Sequence, residues 1–110
     1  MTKNKIHTID VQQLQAQINQ DSNLCLIDVR EPEEWQQGHI AEAMHIPLAE
    51  IAKRISSDVP DQQTAVYLQC KAGVRSMHAA QIISELGYSE VYSVDGGIMD
   101  WINAGYPVVR

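Results

Sequence analysis

The sequence predicts an α/β domain with a mainly parallel sheet flanked by helices on both faces. Apolar runs of strand length alternate with stretches of helical period, the pattern of strand–helix–strand units. The run Leu24-Cys25-Leu26-Ile27-Asp28-Val29 shows no in–out alternation, as expected of a strand covered on both faces. Breakers such as Asp21–Asn23 and Val59-Pro60-Asp61 separate the runs.

In chain order, Ile6–Ile9 reads as a first strand, and Asp10 caps a helix with Val11, Leu14 and Ile18 at helical spacing. After the strand over residues 24–29, Glu31-Pro32 ends the extended chain. Pro32 suits the first turn of a short helix through Trp35, closed by Gly38. Met44–Ile46 is a brief strand stopped by Pro47, after which Leu48, Ile51, Ala52 and Ile55 share one helical face. Ala65–Gln69 is another largely apolar strand. Ser76–Leu86 is an amphipathic helix that buries Ala79, Ile82, Ile83 and Leu86, and Gly87 ends it. Glu90–Val94 is the last strand, and Gly97–Ala104 a final helix ended by Gly105.

With 110 residues and no internal repeat or linker, the chain is expected to form one domain over residues 1–110. Its formal charge of −6 argues against a nucleic-acid partner, and any anion it binds needs a local positive site. Apolar stretches such as Leu24–Ile27 fall far short of the roughly 18 residues of a membrane span, so no membrane partner is expected. Residues 1–20 hold two lysines but neither an apolar core nor a small-residue cleavage site, so no signal peptide is expected and the cytoplasm is the default expectation. Cys25 and Cys70 are expected as free thiols there. Neither they nor His7, His39, His45 and His78 have metal-ligand spacing, so no metal and no cofactor are expected.

The segment most informative about chemistry is Gln69-Cys70-Lys71-Ala72-Gly73-Val74-Arg75-Ser76, which leaves a predicted strand and opens a predicted helix. Ligands of open parallel sheets bind at this end of the strands. Successive N–H groups in such a turn, aided by the helix N-terminus, form an anion cradle. Gly73 allows the unusual dihedrals of a tight turn. A thiol placed there ionises readily, because helix N-termini and nearby Lys or Arg lower its pKa. Lys71 and Arg75 also supply the positive charge that the acidic chain otherwise lacks. A lone strand-end cysteine is as often mere packing. A cysteine, a glycine and two cations in one strand–loop–helix favour the reactive reading.

The sequence resembles the rhodanese-like domains over nearly its whole length. Asp28-Val29-Arg30-Glu31, Trp35, Gly38-His39-Ile40, Ala43 and Ile46-Pro47 are similar to the first signature of that family. Cys70–Ser76 resembles its active-site loop, and Asp95-Gly96-Gly97, Trp101, Gly105 and Pro107 its C-terminal signature. Glu42 departs from the pattern, standing where the family usually has glycine, and is expected to affect local backbone shape only. The resemblance implies a rhodanese-like fold and a catalytic Cys70 that accepts sulfane sulfur as a persulfide. It implies a substrate cradle of Lys71, Ala72, Gly73, Val74 and Arg75. It also implies a small anionic sulfur donor such as thiosulfate, and an acceptor that is cyanide in an assay and a thiol or thioredoxin-like protein in the cell. Asp28, Arg30 and His39 are expected to be structural, His78 to face solvent, and Cys25 to be a buried, inert thiol.

Three rivals stand beside this reading: a cysteine phosphatase or arsenate reductase of related fold, a non-catalytic binding module, and a persulfide carrier for a dedicated partner. Against the first, only four residues separate Cys70 from Arg75, where such phosphatases have five, and Gln69 replaces their usual histidine. Against the second, Cys70 stands in an intact basic loop.

Overall fold

The computed structural model describes residues 5–110; the first four residues of the expected domain, Lys3 among them, lie outside it. Strand β1 (Ile6–Ile9) leads into helix α1 (Val11–Gln20) through Asp10, whose carboxylate accepts the Gln13 N–H. The Gln13 side chain in turn accepts the Asp10 N–H, completing a capping box. Strand β2 (Cys25–Asp28), helix α2 (Pro32–Gln37) and strand β3 (Ala43–His45) follow. Then come α3 (Leu48–Asp58), β4 (Ala65–Gln69), α4 (Val74–Glu85), β5 (Glu90–Val94) and α5 (Gly97–Asn103).

The five strands lie in the order β1-β5-β4-β2-β3, and every pairing is parallel. The sheet is therefore wholly parallel where the sequence predicted mainly so. Alternate side chains of β4 divide the core. Val66 and Leu68 pack with Ile51 and Ile55 of α3 and Ala79, Ala80 and Ile83 of α4. Tyr67 packs with Val11 and Leu14 of α1 and Trp101 of α5 on the other face. Each fully buried Leu, Ile or Val contributes about 1.5–3 kcal/mol, which is why β2 and β4 carry apolar residues on both faces.

Two expectations are corrected. Leu86, expected on the buried face of α4, is 46% exposed, because the helix ends at Glu85 and Leu86 caps it. Tyr88 is buried instead, and its hydroxyl donates to the carbonyls of Ile55 and Val59 in α3. Helix α4 begins at Val74 rather than Ser76, since Gly73 adopts φ +112° and the chain turns helical at once. The last strand and the first two match their expected spans closely.

The chain leaves β4 toward β5 and leaves β2 toward β3, in opposite directions across the sheet. The carboxyl ends of β2 and β4 thus flank a topological switch point, where open α/β sheets form their binding crevice. Asp28 ends one of these strands and Cys70 directly follows the other.

Candidate active site

Cys70 directly follows β4 at this switch point and is only 1% exposed, whereas Lys71, Ala72 and Val74 of its loop face solvent. The loop curls around the sulfur. Gly73 N–H donates to Cys70 Sγ at 3.1 Å and Ser76 N–H at 3.4 Å. The amides of Val74 and Arg75, in the first turn of α4, have no acceptor within the helix and remain a source of positive potential. The Cys70 S–H reaches Ser76 Oγ at 3.6 Å, and Ser76 Oγ lies 2.8 Å from the hydroxyl of Ser93 on β5.

Burial pushes the Cys70 thiol up, but the Ser76 hydroxyl and the amides of Ser76, Gly73 and Ala72 outweigh it and hold the pKa below the ordinary thiol value. The expected lowering is present, with a different origin. Hydrogen bonds aimed at the sulfur carry most of it, rather than the flanking Lys71 and Arg75. Ser76 stood in the loop that resembles the family's active site, but sequence reasoning gave it no role toward the sulfur. Its place one turn into the helix after a strand-end cysteine was the available signal.

Arg75 does not stand free beside the sulfur. Its guanidinium forms a two-pronged ion pair with Glu34 of α2, Nη1 to Oε1 at 2.6 Å and Nη2 to Oε2 at 2.9 Å. Glu34 is correspondingly held down at about 2, first by the Arg75 hydrogen bond against some desolvation. Lys71 makes no ion pair among the described residues and is the uncommitted cation of the loop.

The loop is fastened from two sides. From α5, Ile98 N–H donates to the Cys70 carbonyl and Met99 N–H to the Lys71 carbonyl, giving two amides of that helix N-terminus acceptors. Such an approach requires Gly97, since a Cβ there would run into the Cys70 oxygen and the Lys71 carbonyl group. The Gln69 side-chain amide also donates to the Cys70 carbonyl, at 2.6 Å. From β2, Val29 N–H donates to the Gln69 carbonyl.

Asp28 and Arg30 are buried together, and their side chains form an ion pair at 2.9 Å. Arg30 also donates to the carbonyls of Glu34 and Gly38, so it secures α2 beside the loop. This is the structural role expected of the pair. His39 stacks on Trp35 at 3.5 Å between ring centres and hydrogen-bonds its carbonyl, a packing role as expected. His78 faces solvent, and Glu42 sits in an exposed turn remote from the loop. Cys25 opens β2 half-buried, with its thiol pushed up by burial. Among the described residues no cluster of His, Cys, Asp and Glu has the arrangement to hold a metal ion, and no helix is long and apolar enough to cross a membrane.

The parallel five-stranded sheet with a hydrogen-bonded cysteine at its switch point agrees with the rhodanese-like fold that the sequence resembles. The profile of the rhodanese-like domain matches residues 10–104, and the chain belongs to that family. It is 46% identical over 74 residues to the thiosulfate sulfurtransferase PspE of Escherichia coli, covering 67% of this chain and 70% of that protein. It is 35% identical to the thiosulfate sulfurtransferase GlpE of Vibrio cholerae, covering 91% of this chain and 92% of the relative. Among solved structures, a rhodanese-related protein from Thermoplasma volcanium is similar with TM-score 0.77 and 35% identity, over 94% of this chain and 97% of the other.

Proposed function

We propose that the protein moves sulfane sulfur from thiosulfate or a persulfide donor to a thiophilic acceptor through a persulfide on Cys70. The observation that carries this reading is the ring of polar groups around the sulfur: the Gly73 and Ser76 N–H groups donate to it, and the Ser76 hydroxyl, which accepts the thiol S–H, lies 3.6 Å away. Such a ring stabilises a thiolate, and after transfer it stabilises the persulfide anion.

In the first step the Cys70 thiolate attacks the outer sulfur of thiosulfate. A new sulfur–sulfur bond forms, the old one breaks, and sulfite leaves with its electron pair. In the second step the acceptor attacks the terminal sulfur and releases Cys70 as the thiolate. Cyanide leaves as thiocyanate in an assay, and a thiol or thioredoxin-like protein serves in the cell. Despite burial, hydrogen bonds to the sulfur lower the Cys70 pKa and so favour the thiolate without an external base. The amides of Lys71, Ala72, Gly73, Val74 and Arg75 form the wall that a donor oxyanion meets, with the Lys71 ammonium at its mouth. The net charge of −6 supports a setting free of nucleic-acid partners.

The test is turnover of thiosulfate and cyanide by Cys70→Ser and Cys25→Ser. Loss in the first with retention in the second supports the scheme, and retention in Cys70→Ser refutes it. A persulfide carrier acting for one partner shares the same first step. It would load sulfur and pass it slowly to cyanide or to small thiols.

A further inference from the structure

Of the two cations in the loop, one is already spent. Arg75 meets the Glu34 carboxylate with two parallel hydrogen bonds, the arrangement in which a guanidinium would otherwise receive two oxygens of a donor anion. The carboxylate is fixed in place. Its Oε1 also accepts the Glu31 N–H, and Arg30 holds the Glu34 carbonyl, so α2 presents Glu34 to the loop as part of a rigid frame. Glu34 titrates near 2 and is ionised at any pH where the enzyme works. Arg75 lies near enough to Cys70 for the thiolate to raise its pKa, although the Glu34 hydrogen bond raises it more. Glu34 therefore cancels a positive charge within electrostatic reach of the reacting sulfur.

We infer that Glu34 determines donor specificity: by neutralising Arg75 it leaves Lys71 as the one uncommitted cation of the loop, and so favours singly charged sulfur donors over dianionic ones. This inference rests on the sulfur-transfer reading and names the donor class that the site selects. A dianion such as thiosulfate brings a second negative charge, which the backbone amides and Lys71 meet without help from Arg75. A persulfide or thiosulfonate monoanion makes no such demand.

The experiment compares thiosulfate with methanethiosulfonate, in which a methyl group replaces one charged oxygen. The readout is the ratio of their kcat/KM values in wild type, Glu34→Gln, Arg75→Gln and the double variant. Glu34→Gln retains an acceptor for the Glu31 N–H and frees the guanidinium. It should raise the thiosulfate-to-methanethiosulfonate ratio about tenfold, mainly through the KM for thiosulfate. Arg75→Gln leaves Glu34 unpaired and should lower the ratio by a similar factor. The double variant, which removes a neutral pair, should return the ratio to within about threefold of wild type.

An unchanged or lower ratio in Glu34→Gln would overturn the inference. So would a double variant as poor with thiosulfate as Arg75→Gln, because Arg75 would then bind the donor in the native protein. Should Glu34→Gln fail to fold, the comparison of Arg75→Gln with wild type, repeated with Glu34→Asp in its place, still decides. A lengthened pair must move the ratio in the same direction as Glu34→Gln. Sulfur loading of wild-type Cys70, followed by mass, separates the two levels. If neither donor loads it, the sulfur-transfer reading itself fails.

Discussion

The hydroxyl of Ser76 lies 3.6 Å from the sulfur of Cys70 and 2.8 Å from the hydroxyl of the buried Ser93. In the thiol state Ser76 accepts the S–H and donates to the Gly73 carbonyl. A hydroxyl so placed can turn its proton toward an ionised sulfur while accepting from the Ser93 hydroxyl 2.8 Å away.

Ser76→Ala should therefore raise the Cys70 pKa. A hydrogen bond to a charged group contributes about 1.5–3 kcal/mol, equivalent to roughly one to two pKa units. The midpoint in the pH dependence of Cys70 alkylation reads this directly. Wild type should show a midpoint below that of an ordinary thiol, and Ser76→Ala one shifted upward. Equal midpoints would mean that the backbone amides alone support the thiolate.

Gly97→Ala should damage both stability and sulfur transfer. The residue has φ +53°, and a Cβ would strike the carbonyls of Cys70 and Lys71. Backbone strain of this kind costs on the order of 1–3 kcal/mol, or roughly 5–15 °C in Tm for a domain of this size. Gly105→Ala is the comparison. Its φ is +85° but a Cβ meets nothing within 4 Å, so it should cost strain alone and leave turnover intact. Equal loss of turnover in the two variants would deny the fastening role of α5.

The Glu34–Arg75 pair predicts a stability profile in acid. Free Glu titrates near 4.5 and folded Glu34 at about 2, so between these values the unfolded chain binds more protons at this site. Its stabilising contribution is complete above the unfolded value and is lost as pH falls toward 2. Denaturant midpoints from pH 6 to the acid limit should fall less steeply over this window in Glu34→Gln than in wild type. Parallel curves would show that the pair contributes nothing to folding.

Loop length predicts which chemistry is excluded. Lys71, Ala72, Gly73 and Val74 are the whole span between Cys70 and Arg75, and Arg75 is turned to Glu34. The loop is one residue shorter than that of the phosphatases, and the Gly73 and Ser76 amides point at one sulfur atom. Wild type should hydrolyse no aryl phosphate and reduce no arsenate at rates comparable with sulfur transfer. A Cys70-dependent phosphatase rate above the sulfurtransferase rate would reverse the assignment.

Local features were legible in the sequence, and long-range partners were not. Asp10 caps the helix that follows it, and Cys70, Lys71, Gly73 and Arg75 lie in one strand–loop–helix segment, so local sequence revealed them, though it revealed neither the Gln13 half of the capping box nor the start of α4 at Val74. The Arg75–Glu34 pair joins residues 41 apart and the Ser76–Ser93 contact residues 17 apart. Both depend on how α2 and β5 pack beside β4, which periodicity does not specify. Leu86 misled for a related reason: helical spacing continued past Glu85, but Tyr88 could bury a larger ring and hydrogen-bond its hydroxyl to α3. The strand–loop–helix segment and the resemblance to the rhodanese-like family both pointed to Cys70, and despite burial the hydrogen bonds that the fold supplies lower its pKa.

The intact mass of the protein after incubation with thiosulfate, with peptide mapping of the modified residue, tests persulfide chemistry most directly. That chemistry requires an adduct of one sulfur atom on Cys70, absent from Cys70→Ser and kept in Cys25→Ser. Cyanide must remove it and yield thiocyanate in equal amount. Thiosulfate turnover without an adduct, or an adduct that persists in Cys70→Ser, would contradict it.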